Sequence, residues 1–486
     1  MIRRAALRFW LPASLAVLSV VTAYAAPAQS PAVGAITLAS ACGDDLPVQN
    51  IELSMLVTQA LNQEPQLLIA QANALASQSD LQAAKGGFLP QISVAATEEK
   101  YVPSNGDTPV VVVGNTVLGG AQTNSAYGSL ALQWNIWNNG RDAAALKGAH
   151  AEVQSAAFGI DQQLAETLLD VLNAYAELYE AEVISRGDAQ AAEGLTAIQA
   201  RAEKRYTQGY GTEVAVGQAR VATLNAVQTL NHDCRDVDDK SAALAQAAGM
   251  EIGSARLSVP GTLPTLDPPG EGHAMDQMVD ESPAVAGAWQ DVLAAESALR
   301  RAQDEYGPTV AFTAQRDYLG QSPDGLGYAN KHVGSADYRV GLQISQPLFP
   351  FDSQSADIDK ARAQLRKAQA SYQQARIQVK MKLVSALAAR REAQRSFAAA
   401  QTSLVDAEQV LALTEAQYDA GRTDLDTVEH ARMDRDASQA DLDRLNSQLV
   451  LTEWMVERTQ SPKQFPVVVL RELHIDTQLP DADAGR

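Results

Sequence analysis

Hydrophobic and polar positions along this 486-residue chain follow two rhythms, and the rhythms change in the same order twice. From Gln49 to about Lys85, Ile51, Leu53, Leu56 and Leu61 recur at mixed helical spacing, which predicts a helix broken at Pro65 and ended by Gly86-Gly87. The period then falls to two. Ile92, Val94 and Ala96 alternate with Gln91, Ser93 and Ala95; Leu130, Leu132, Trp134 and Ile136 alternate with Ser129, Ala131, Gln133 and Asn135. Such alternation predicts strands with one apolar and one polar face. The loop between them, roughly Val102 to Asn124, is rich in Gly, Asn, Asp and Pro. Its apolar run Val110 to Val113 fits hairpin or loop packing, or contact with a surface partner. From about Arg141 to Tyr206 there is no proline, alanine abounds, and Leu146, Val153, Ile160, Leu164, Leu168 and Val171 lie at helical spacing. About 66 residues at 1.5 Å each predict one helix near 100 Å long. Tyr206-Thr-Gln-Gly209 breaks it with a glycine of C-cap type, and a second helix returns to about Ala248. The pair is an antiparallel hairpin with coiled-coil-like packing.

The series then repeats. Asn62-Gln-Glu-Pro65 is answered by Glu281-Ser-Pro283, Gly87-Phe-Leu-Pro90 by Tyr306-Gly-Pro308, Leu132-Gln-Trp134 by Leu342-Gln-Ile344, and Tyr206-Thr-Gln-Gly209 by Tyr418-Asp-Ala-Gly421. An internal duplication sets the fold before other features are weighed. Val310 and Phe312, then Tyr338, Val340, Leu342 and Ile344, form the second strand pair around a loop of roughly Leu319 to Ala336; a helix from about Ser353 to Tyr418 and its return to about Glu457 form the second hairpin. The expected organisation is a signal peptide at 1–25, an N-terminal extension at 26–48, and a first repeat at 49–260 with strands about 88–137 and hairpin about 141–248. A linker at 261–272 with Pro264, Pro268 and Pro269 follows, then a second repeat at 273–460 with strands about 308–349 and hairpin about 353–457, and an irregular tail at 461–486.

Arg3, Arg4 and Arg8 precede an apolar stretch from Phe9 to Tyr24 and a small-x-small site at Ala23-Tyr24-Ala25, the pattern of a secretory signal. That stretch falls short of the ~20 apolar residues of a spanning helix. Without it the chain carries 35 basic and 58 acidic residues, a net charge of −23, which argues against nucleic acid as a partner. One segment departs: Asp359 to Arg395 holds ten Lys or Arg and two acids, either a solvated helix face or a contact with a subunit or partner. The two cysteines, Cys42 and Cys234, suggest one disulfide in an oxidising compartment. A lipid anchor on Cys42 is the rival.

Four strands of about 10 to 15 residues are long enough to cross a bilayer when tilted. Four cannot close a barrel, and open edges are not tolerated in lipid. Spanning therefore requires several chains to pool strands, and three would give twelve. The alternative is a soluble sheet with one face on a core. Export, the duplication and rods of about 100 Å beside each strand pair favour the membrane.

The order of signal, helix, strand pair, long hairpin and linker, given twice, resembles the TolC outer-membrane channel family over essentially the whole exported chain. The most specific stretches are Tyr418-Asp-Ala-Gly421-Arg422-Thr423-Asp424-Leu425-Asp426-Thr427-Val428-Glu429 and Tyr206-Thr-Gln-Gly209-Tyr-Gly-Thr212-Glu213-Val214, similar to the family's two inner hairpin tips. The resemblance implies an α+β membrane protein. A homotrimer completes a 12-stranded barrel in outer-membrane lipid, with a helical barrel in the periplasm. It implies that Asp426 and Glu429 form acidic rings in the narrowest part of the pore, where like charges raise one another's pKa; an i, i+3 spacing shares one face. An ordinary acidic first helical turn is the competing explanation. It further implies a closing latch through Tyr418 and Arg422. The family's Thr-Asp partners are replaced here by Val214 and Ala215, with Thr212 and Glu213 just upstream as substitutes. Gly209 and Gly421 mark the tips that a periplasmic adaptor would meet.

No enzyme constellation stands out. His150, His232, His273, His332, His430 and His474 are scattered, and no H-E-x-x-H or C-x-x-C occurs. Gly209-x-Gly211 and Gly325-x-Gly327 lack the third glycine of a dinucleotide site. No cofactor is expected. The expected function is a passive exit duct docking an inner-membrane pump, ABC or proton-driven, through an adaptor, with type I protein secretion ahead of multidrug efflux. A soluble periplasmic coiled-coil scaffold and an exported enzyme are the readings from other classes.

Overall fold

The computed structural model describes residues 47–101, 110–113, 116–119, 123–251, 255–266, 275–322, 333–348 and 352–475. The signal peptide, the N-terminal extension and Cys42 lie outside them, as do the loop centres 102–109 and 323–332. The duplication is visible element by element. In the first half, strand β1 (Val48–Asn50) and helices α1 (Leu53–Gln63) and α2 (Pro65–Gly86) lead into β2 (Gln91–Tyr101), the small pair β3 (Val110–Val113) and β4 (Thr116–Gly119), and β5 (Thr123–Trp137). The hairpin α3 (Arg141–Thr207) and α4 (Glu213–Ala247) follows, then β6 (Arg256–Ser258). In the second half, α5 (Met275–Glu281) and α6 (Pro283–Asp304) lead to β7 (Thr309–Ser322) and β8 (Val333–Ser345), the hairpin α7 (Asp352–Asp419) and α8 (Leu425–Gln460), and a last helix α9 (Phe465–Glu472). Helices α2 and α6 each hold 22 residues and open with proline, which lacks the N–H that a first turn leaves unbonded anyway. The long rods hold 67 and 68 residues, about 100 Å each.

Four strands form one antiparallel sheet in the order β2-β5-β7-β8, so β2 and β8 are its two edges. Ile92 lies opposite Leu132, Trp134 opposite Phe312, and Phe312 opposite Leu342, which puts the apolar set of every strand on one face. That face is bare: Val94 is 78 % exposed, Leu342 68 % and Ile344 74 %. The other face is polar and bonded to itself. Tyr127 Oη and Gln315 Nε2 each donate to Asp317 Oδ1 at 2.7 Å, and Arg339 pairs with the same carboxylate.

The buried core sits where the hairpin tops meet the short elements. Leu168, Leu172, Leu178, Trp454 and Phe465 are fully covered there. Trp454 meets Phe465 edge-on at 6.2 Å and donates from Nε1 to Pro264 O at 2.9 Å.

Four boundaries differ from the sequence expectation. The first helix does not begin at Gln49: Val48–Asn50 are extended and pair in parallel with Arg256–Ser258, which ties the entry of the repeat to its exit. The segment after Gly261 is no exposed linker through 266, since Leu263 is 2 % exposed. The tail after Pro462 is not irregular, because burial of Phe465, Val469 and Leu470 in the core folds α9. The outer loops are shorter than expected, because ladder pairing carries β5 back to Thr123, β7 out to Ser322 and β8 back to Val333. The run Val110–Val113 does form a hairpin, with Thr116–Gly119.

Candidate functional site

Both hairpins turn with one chemistry. α3 ends where the Gly209 N–H meets Tyr206 O at 3.0 Å and the Tyr210 N–H meets Arg205 O at 2.9 Å; α7 ends where the Gly421 N–H meets Tyr418 O and the Arg422 N–H meets Gln417 O, both at 2.8 Å. This is the Schellman pattern, which needs a left-handed residue. Gly209 and Gly421 supply it with φ of +80° and +69°. Three residues after each glycine the chain re-enters a helix. Thr212 Oγ1 accepts from the Ala215 N–H at 3.2 Å, and Asp424 Oδ1 accepts from the Thr427 N–H at 3.0 Å. The Thr427 hydrogen bonds hold the Asp424 carboxyl below its usual pKa.

One contact at this end joins the two hairpins. Asp426, in the first turn of α8, receives Arg201 Nε at 3.1 Å and Arg205 Nη1 at 3.3 Å, both from the last turns of α3. Further up, the rods approach closely through small residues. A Cβ on Gly194 would meet Met433 Sδ at 3.0 Å, and one on Gly187 would meet Ala440 Cβ at 3.4 Å.

The expected tip residues divide accordingly. Asp426 is paired within the chain to two guanidinium groups. Glu429 stands 3.7 Å from Arg432. Tyr418 and Arg422 make no hydrogen bond to Thr212 or Glu213 among the described residues, where Thr212 is occupied as a helix cap and the Arg422 backbone closes the turn. Arg201 and Arg205 were not singled out from sequence, because arginines on a long polar helix carry no local signal; only the docking of α3 against α8 shows what they reach. Cys234 is buried on α4 and is disulfide-bonded.

A second polar cluster lies in the first hairpin. Asp188 on α3 is hydrogen-bonded to Asp233 on α4; burial first, then that neighbour, push its pKa up to about 6. From α8, Asp436, Asp441 and Arg444 line the groove beside Asp188, while Arg444 itself pairs with Glu180 and Asp441. His232 Nδ1 stands 3.7 Å from Asp233 Oδ1. Among the described residues no group of three or more His, Cys, Asp or Glu could hold a metal ion, and no helix is long and apolar enough to cross a membrane.

Comparison with known proteins agrees with this architecture. The family model of the outer membrane efflux protein matches residues 56–250 and 274–454, one segment in each half of the duplication. Protein CyaE of Bordetella pertussis is 24 % identical over 389 residues, covering 77 % of this chain and 76 % of that protein. Among solved structures, the CmeC outer membrane channel of Campylobacter jejuni superposes with a TM-score of 0.72 at 15 % identity, over 87 % of this chain and 89 % of that one. The outer membrane protein VceC of Vibrio cholerae gives 0.67 at 20 % identity, over 84 % and 95 %. These two likenesses establish the fold. The match of the family model across both repeats establishes the rest: the chain belongs to the outer membrane efflux protein family, an outer-membrane channel with a periplasmic extension and not an enzyme.

Proposed function

We propose that the chain is one third of a passive exit duct, in which three copies pool twelve strands into an outer-membrane barrel and twelve long helices into a periplasmic tube. The observation that carries this is the sheet: four antiparallel strands with one exposed face that is apolar along Ile92, Val94, Leu130, Leu342 and Ile344, and two unpaired edges. The strands hold 11, 15, 14 and 13 residues, against the ~9–11 needed to span. Lipid accepts the apolar face, and pairing β8 with β2 of the next copy removes both edges.

The duct has no energy source, so an inner-membrane pump must drive it. A periplasmic adaptor would reach the tips at Gly209 and Gly421. We assign Asp426, held by Arg201 and Arg205, as the tie that keeps the hairpins together at the inner end, in place of a bond from Tyr418 or Arg422 to Thr212 or Glu213. Glu429, one turn above, remains the acidic group for a pore-lining ring. For Cys234 we propose Cys42 as the disulfide partner. Type I protein secretion is the first assignment of cargo. Efflux of small toxic molecules is the second, and the family model that matches both repeats favours it. Deleting the gene tests both. Loss of export of one secreted protein, with its synthesis intact, supports secretion, and increased sensitivity to small toxic compounds supports efflux. Normal export and normal resistance, in a strain encoding no second such channel, would count against the duct.

A further inference from the structure

The exposed face of the sheet is not apolar in every row. In the rows nearest the rods, Val310 faces Ile344, and Phe312 lies between Trp134 and Leu342. The next row holds Ile92, Leu132, Ala314 and Val340. One row further from the rods, Arg316 stands between Leu130 and Tyr338, with Val94 beyond Leu130. Tyr318 follows on β7, and β2 then carries Glu98 and Lys100 on this face, opposite Ala126 and Asn124. Arg316 is therefore a charge at the outer limit of an apolar surface.

Arg316 is exposed, and no carboxylate pairs with it among the described residues. The acids nearest in register are Asp317 and Asp337, which face each other. Alternation places them on the opposite, wet side of the sheet, where Tyr127, Gln315 and Arg339 engage Asp317. Glu98 shares the face of Arg316 but lies two strands across and four residues further out, about 17 Å over the sheet. What the guanidinium does meet is an aromatic ring: its Cζ lies 5.1 Å from the centre of Tyr318, within cation–π range. β7 leaves the rods at Thr309, so the side chain is turned away from the periplasmic end.

Depth gives this posture a meaning. Val340 lies in the middle of β8, and its partner Ala314 is four residues from Tyr318. Four residues of ~3.4 Å, in strands tilted by ~40°, rise about 10 Å, close to half of a ~25 Å apolar band. The backbone of Arg316 is thus within lipid while its guanidinium reaches headgroup depth, as snorkelling side chains do. A cation so placed is favourable opposite an anion and costly without one. Guanidinium suits phosphate in particular, since it offers paired donors and stacks on aromatic rings. Tyr338, directly opposite and 81 % exposed, brings a phenol O–H to the same spot.

We infer that Arg316, braced on Tyr318 and flanked by Tyr338, forms a site on the lipid-facing side of the barrel for the phosphate of an outer-leaflet lipid. This rests on the duct proposed above and adds one lipid site per chain, held by charge as well as by apolar contact.

Titration of the delipidated, detergent-purified full chain with diphosphoryl lipid A, followed by native mass spectrometry, tests the site. Arg316→Gln should weaken lipid A binding about tenfold, the worth of one charge-assisted hydrogen bond. Arg316→Lys should restore part of it, since the charge returns without the planar fork. Diacylglycerol, which has tails and no phosphate, should bind the wild type and Arg316→Gln equally. Equal lipid A binding by trimeric wild type and trimeric Arg316→Gln would overturn the site and leave the duct standing. An equal loss of diacylglycerol would also overturn it, since the residue would then serve only the apolar surface. Displacement of lipid A by inorganic phosphate would overturn the assignment to a lipid. Where Arg316→Gln does not assemble, Tyr338→Phe removes one hydroxyl and reads the same site: weaker lipid A binding supports it, and unchanged binding refutes it. A wild-type chain that is monomeric in detergent would sink the duct reading itself.

Discussion

Asp188 shows how a single group reports on its neighbours. Its pKa lies above the ordinary aspartate value, near 6, because burial and the Asp233 carboxyl disfavour its charge. The folded state therefore holds more protons than the unfolded state between about pH 4 and about 6. Stability falls as pH rises through that window and is highest below it. Asp188→Asn should flatten this stretch of the pH–stability curve and raise the melting temperature at pH 7.5; an unchanged slope would contradict the assignment. Asp424 has the opposite sign. Its lowered pKa gives stability that is present at neutral pH and lost as acid protonates it. Removing the cap by Asp424→Ala should cost about 1 kcal/mol, measured by denaturant unfolding. Asp426→Ala breaks the tie to Arg201 and Arg205. The loss in stability should be small, about 1 kcal/mol for a partly exposed pair. Single-channel conductance in a planar bilayer should rise, since the tips separate more readily; equal conductance would remove Asp426 from that role.

At the scale of elements, the hairpins, the strand pairs and the turn glycines were legible because each depends on local pattern: the absence of proline, a period of two, a glycine three residues before a cap. Gly421 needs its positive φ, so Gly421→Val should destabilise the second hairpin by roughly 1–2 kcal/mol, seen as a lower melting temperature. The parts that sequence did not show depend on distant partners. Three residues around Val48 become a strand only because Arg256–Ser258 lies beside them. Phe465, Val469 and Leu470 make α9 only because the core beneath Trp454 receives them. The ion pairs of the acidic tip were hidden for the same reason. Asp426 reads as a free charge until α3 places two arginines against it. The resemblance to a channel family supplied a pore role for that residue, whereas the geometry supplies its counter-ions.

The whole molecule is governed by what one copy leaves uncovered. Its sheet shows an apolar face and two raw edges, so it is not complete alone. Placing a charge on the lipid side should be costly in proportion to depth. Val340→Arg, in the middle of β8, should lower barrel stability by about 2–4 kcal/mol near the midplane, read as loss of heat-resistant oligomer on gels, whereas Gln343→Arg, three residues along on the wet face, should have little effect. Strand number is the quantity on which the entire account turns. Native mass spectrometry of the detergent-extracted protein measures it directly, since each chain contributes four strands to the sheet. A complex of three chains is the predicted result; a single chain that stays dispersed and folded in the absence of detergent would contradict it.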